Sequence, residues 1–91
     1  MSTPRKILLI DDDATMAELV GFMVGAFRRE RFVMEHRASF EEGLRSLVGG
    51  DYVLCLLDYN LGDRNGLELL REAKAQQCLT PIILLTGDTN E

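Results

Sequence analysis

Residues 53–66 read Val-Leu-Cys-Leu-Leu-Asp-Tyr-Asn-Leu-Gly-Asp-Arg-Asn-Gly. Five apolar residues end abruptly on Asp58, and a polar loop runs from there to Gly66. A short run that is apolar throughout suits a strand covered on both faces, as in a parallel sheet. Two other runs have the same form. Lys6–Ile10 (KILLI) leads straight into Asp11, Asp12 and Asp13, and Pro81 introduces Ile82–Leu85 (IILL), which leads into Thr86. A weaker, more polar strand, Phe32–Arg37, fits a sheet edge.

Helical periods lie between these runs. From Ala14 to about Arg29, Met16, Leu19, Val20, Met23 and Phe27 repeat along one helix face, with Asp13 as the expected N-cap. Gly21 and Gly25 weaken this helix and suggest close packing on a sheet. Ser39 and Glu42 have capping-box spacing and open a helix through Val48, which Gly49-Gly50 ends. A third helix spans Leu67–Gln76, with Leu67, Leu70 and the Lys74 stem on one side. The order is β-α-β-α-β-α-β, which implies a parallel sheet with helices on its faces.

Composition narrows the function. The 91 residues allow one domain, and the apolar fraction of 46% is that of a folded chain. Fifteen acidic against ten basic residues give a net charge of -5. That balance argues against direct nucleic-acid binding and against an anionic membrane surface. No apolar run approaches the ~20 residues of a membrane span, and the four apolar residues near the start are too few for a signal peptide. The expectation is a cytoplasmic protein. Cys55 and Cys78 have no metal-ligand spacing and are read as reduced structural thiols.

In an open parallel sheet, whatever follows each strand lies along one edge, where ligands bind. Asp11, Asp12, Asp13, Asp58 and Thr86 therefore converge. Clustered carboxylates repel one another, and a divalent cation relieves this. All-oxygen donors favour a hard ion, Mg²⁺ or Mn²⁺, and Mg²⁺ readily accepts phosphate oxygens. The plainer reading is that Asp11–Asp13 cap the first helix; three in a row facing a fourth carboxylate call for more.

With these residues together, the chain resembles the receiver domain of response regulators, the flavodoxin-like doubly wound fold of the chemotaxis regulator. The matching elements are Asp11-Asp12 after the first strand, Asp58 after the third, the loop from Asp58 to Gly66, and Thr86 after the fourth. The resemblance implies sheet order 2-1-3-4 and a role for each residue. Asp58 would accept a phosphoryl group from a histidine kinase or phosphotransfer protein. Asp12, Asp58 and the backbone carbonyl of Asn60 would bind Mg²⁺, with Asp11 acting through a water. Thr86 would contact the phosphoryl group and switch an output surface. The module would not itself be an enzyme.

Departures are Gly62, where the family often has proline, and Asn65, where it often has aspartate. The family also continues with a fourth helix, a fifth strand carrying a lysine, and a fifth helix. Neither Lys6 nor Lys74 matches that lysine. The 91 residues are therefore read as one C-terminally incomplete receiver domain, poorly phosphorylated as it stands and prone to form homo-oligomers. The competing function is a phosphorylation-independent interaction module. A haloacid-dehalogenase-type phosphatase would need an aspartate where Asn60 stands. An EF-hand would need glycine at Asp63 and glutamate at Leu69. His36 is read as a surface residue, Arg28, Arg29 and Arg31 as a solvated helix end, and Tyr59 as either a gate or a packing residue.

Overall fold

Three apolar runs and one polar one become a four-stranded parallel sheet. In the computed structural model, which describes residues 5–25 and 31–85 (the side chain of Thr15 aside), the sheet strands are β1 (Arg5–Ile10), β2 (Phe32–Arg37), β3 (Leu54–Asp58) and β6 (Ile82–Leu85), with two-residue strands β4 (Asn60–Leu61) and β5 (Arg64–Asn65) outside that sheet. Their order is β2-β1-β3-β6, all parallel. Helices α1 (Ala14–Gly25), α2 (Phe40–Gly49) and α3 (Gly66–Ala75) make the crossovers. This is the flavodoxin-like arrangement the sequence implied, with β2 at an edge.

The two faces of the sheet are filled unequally. The main core lies under α2 and α3, where Leu8, Ile10, Cys55 and Leu57 meet Phe40, Leu47, Leu61, Leu69 and Ala73. β1 is buried from Ile7 to Ile10, as a central strand between two neighbours must be. Burial pushes the Cys55 thiol up to about 12, helped by Cys78, so it stays protonated and inert.

The opposite face carries α1, and here the expected helix face is corrected. Ala17 is buried and Val20, Gly21 and Val24 are half-buried, while Met16, Leu19 and Met23 are exposed. A Cβ on Gly21 would sit 3.4 Å from Met34, whereas nothing approaches Gly25. The helix is apolar nearly all round, so its period alone does not choose between adjacent faces. Phe27, Arg28 and Arg29 lie outside the described residues; Arg31 is exposed.

The other helices follow their caps. Ser39 Oγ accepts from the Glu42 amide at 3.2 Å, half of the predicted box. The full box lies at α3, where the Asn65 side chain accepts from the Glu68 amide and Glu68 accepts from the Asn65 amide. The fully buried positions of α3 are Gly66, Leu69 and Ala73; Leu67 and Leu70 are half-buried, Leu70 packing against the core, and Lys74 is exposed.

Candidate functional site

Register brings the acidic residues together. Ile10 pairs with Leu57, so Asp11 emerges beside Asp58 at the carboxyl edge of the two central strands. Carboxylate oxygens of Asp11, Asp12 and Asp58 lie within 4.8 Å of one another. Asp11 is buried, Asp58 half-buried and Asp12 exposed. The Asp13 amide donates to Asp11 Oδ1 at 2.9 Å, which fixes the turn. Asp13 itself precedes α1 and is not one of the three.

Among the described residues, no salt bridge reaches these three carboxylates. Burial raises the Asp58 carboxyl above the usual range, and the charges of Asp11 and then Asp12 add to it. Hydrogen bonds from the backbone of Asn60 and Tyr59 pull the other way. A half-buried triad of like charges with oxygen donors only is a fitting seat for a hard divalent cation. Lys6 and Lys74 are elsewhere. Lys6, near the start of β1, lies 3.9 Å from Glu35 and over the Tyr52 ring at 5.2 Å, and Lys74 is in the last turn of α3.

The polar loop expected after Asp58 contains a small antiparallel hairpin. Asn60–Leu61 (β4) pairs with Arg64–Asn65 (β5), with Asn60 opposite Asn65. Gly62 occupies the turn at φ +76°, a conformation proline cannot adopt, so the departure from the family's usual proline is a structural one. Leu61 anchors the hairpin in the core. Arg64 stacks on Phe40 at 3.7 Å and donates to Glu72 at 2.8 Å. The glycine was the signal for this turn: a two-residue loop with glycine first is a hairpin pattern. Asn60 is exposed at the start of β4, and the Tyr59 side chain is partly exposed. Thr86 lies outside the described residues, directly after Leu85, which pairs with Asp58.

A cavity of about 300 Å³ opens beside the triad, between Asp12, Ser39–Glu41 and the hairpin residues Leu61–Arg64. Carboxylates clustered at the carboxyl edge of an open parallel sheet lie where such folds bind their ligands. The chain belongs to the response regulator receiver domain family, whose model matches residues 7–91.

Among its relatives is the cell cycle response regulator CtrA of Brucella ovis, 35% identical over 82 residues, which are 90% of this chain and 34% of that protein. The chain thus spans about a third of the length of the curated relatives it matches. A CheY-like receiver domain protein from Methanospirillum hungatei superposes with a TM-score of 0.76 at 26% identity, over 97% of this chain and 68% of the other. The response regulator TrrA of Thermotoga maritima, solved in complex with Mg²⁺ and BeF, gives 0.81 at 28%, over 93% and 71%. This chain is a receiver domain of a two-component response regulator. Receiver domains are signalling modules that bind Mg²⁺ at an acidic pocket. Among the described residues, no helix is long and apolar enough to cross a membrane.

Proposed function

We propose that Asp58 is the phosphoacceptor of a cytoplasmic phosphorelay, and that a sensor histidine kinase or phosphotransfer protein is the donor. The reading is carried by the convergence of Asp11, Asp12 and Asp58 within 4.8 Å at the ligand-binding edge of the sheet. An Asp58 carboxylate oxygen attacks the phosphorus of the donor phosphohistidine. The O–P bond forms as the P–N bond breaks, and the departing imidazole takes up a proton. The Tyr59 amide donates to the Leu85 carbonyl at 3.0 Å, which ties the backbone next to the reacting carboxylate to the neighbouring strand. Thr86, next in sequence after Leu85, would contact the phosphoryl group and report its presence to an output surface. One transfer per signal makes the chain a switch rather than a turnover enzyme.

Asp12, Asp58 and the Asn60 carbonyl would hold Mg²⁺ or Mn²⁺ directly, with Asp11 through a water. The ion, when bound, supplies positive charge to the transferring oxygens. Adding Mg²⁺ to the metal-free chain at neutral pH is expected to stabilise it by about 1.4 kcal/mol at ten times the Kd. That corresponds to a Tm rise of roughly 5–10 °C. A Tm indifferent to millimolar Mg²⁺ in scanning calorimetry would remove the metal site.

The 91-residue chain by itself is proposed to associate with a second copy. Leu19, Phe22 and Met23 expose an apolar patch on α1, with Phe22 80% exposed, and β6 is paired on the β3 side within the described sheet. Sedimentation equilibrium is expected to show a concentration-dependent dimer or larger species, weakened in Phe22→Asp. A monomer at every loading would rule this out.

A further inference from the structure

The sequence offered one histidine, and a place on the edge strand made it unremarkable. The structure puts His36 Nε2 2.6 Å from the backbone carbonyl of Asp11, a residue 25 positions away and 3% exposed. The β1–β2 ladder explains why a donor is needed there. Its last rung is the Asp11 amide donating to the Arg37 carbonyl at 3.0 Å. In a parallel ladder the next rung would run from the Ser39 amide to the Asp11 carbonyl. The chain has left the strand by then, since β2 ends at Arg37 and Ser39 caps α2. A buried carbonyl without a donor is costly. The imidazole of His36 replaces the missing rung.

We infer that His36 is a positioning residue for the acidic turn, acting through the Asp11 backbone on the metal site. Asp11 is then held at three points. Its amide donates to Arg37, its carbonyl accepts from His36, and its Oδ1 accepts from the Asp13 amide. Asp12 sits between the fixed Asp11 and the start of α1, and among the described residues its backbone position is set by these neighbours. Loss of the His36 contact frees the carbonyl, and the turn then costs more to order when a cation arrives. A carbonyl oxygen only accepts, so the geometry requires a proton on Nε2. The neighbouring Arg37 guanidinium does not compete for the carbonyl. It donates to Ser46 Oγ at 2.8 Å and to the His36 carbonyl at 2.9 Å.

The inference rests on the metal reading above, and Mn²⁺ binding to the full 91-residue chain tests both. Free Mn²⁺ is followed by its EPR signal in wild type, His36→Phe and His36→Gln, with Tm measured in EDTA for each. His36→Phe keeps the ring and lacks the donor, and is expected to weaken Mn²⁺ about tenfold, the scale of lost supporting hydrogen bonds at metal sites. His36→Gln, which retains an N–H donor, is expected to keep most of the affinity. A wild type that binds no Mn²⁺ overturns the metal reading and the role of His36 with it. A wild type that binds, with His36→Phe equally tight, overturns the role of His36 alone, even if that variant melts lower. Should His36→Phe fail to fold, the wild type still decides. Long-range ¹⁵N NMR is expected to show a proton on Nε2 of His36, and an imidazole protonated only on Nδ1 overturns the proposal.

Discussion

Asp58→Asn is expected to abolish both beryllofluoride binding and phosphorylation while making the metal-free chain more stable. The amide cannot attack phosphorus, because the nitrogen lone pair is delocalised and the oxygen carries no full charge. It also cannot complete the charge that a divalent cation requires. The gain in stability has a separate origin. Burial and the charges of Asp11 and Asp12 raise the Asp58 carboxyl in the folded state, so ionising it costs folding free energy. That cost is absent below the unfolded carboxylate value of about 4. It grows as the pH rises and is complete above the raised value. Wild type and Asp58→Asn should therefore match in acid and separate toward neutral pH, with the variant melting higher by about 4–8 °C for each kcal/mol relieved. ¹⁹F NMR of beryllofluoride and calorimetry in EDTA check the two halves. Bound beryllofluoride in the variant would place the phosphoryl site elsewhere. Equal melting at neutral pH would mean that the triad is not under electrostatic strain.

Gly66→Ala is expected to be the most damaging small substitution. A Cβ at Gly66 would lie 2.5 Å from the Asp58 carbonyl oxygen and 2.8 Å from Leu84 Cδ1. The Gly66 amide donates to the Tyr59 carbonyl at 2.7 Å, so α3 cannot simply slide away from β3. The methyl group therefore displaces backbone at the end of β3, where overpacking costs about 3 kcal/mol. In a domain of this size, Tm falls by more than about 10 °C, and Mg²⁺ affinity falls with it as Asp58 moves. Gly62→Ala makes a control in the same loop. Nothing lies within 4 Å of its Cβ, and the only obstacle is the φ of +76°, worth on the order of 1 kcal/mol. If urea denaturation ranks Gly62→Ala as the worse of the two, the close approach of α3 to β3 is not what that glycine serves.

The parallel sheet was legible because KILLI, VLCLL and IILL are apolar without alternation, and the carboxylates follow them directly. The convergence of Asp11, Asp12 and Asp58 follows from topology once the strands are known. What the sequence hid was relational. The face of α1 was misread because Phe22, Met23 and Val24 are adjacent and all apolar, and only packing on Met34 shows which way the helix turns. The β4–β5 hairpin was missed because two-residue strands are below the length at which periodicity can be read. Its Gly-Asp turn was the available cue. The contact of His36 with Asp11 had no cue in the sequence, since it depends on where β2 stops relative to β1.

The unequal filling of the two sheet faces divides the molecule mechanically. One side, α2 and α3 clamped on β1 and β3, has the dense apolar contacts that make a cooperative unit. Among the described residues, the other side is a single helix that leaves much of its apolar surface in water, and such elements open at lower free energy than the body they rest on. The acidic turn Asp11–Asp13 is the joint between the two. Under the proposed function, charge added at Asp58 would arrive where a stiff half meets a soft one.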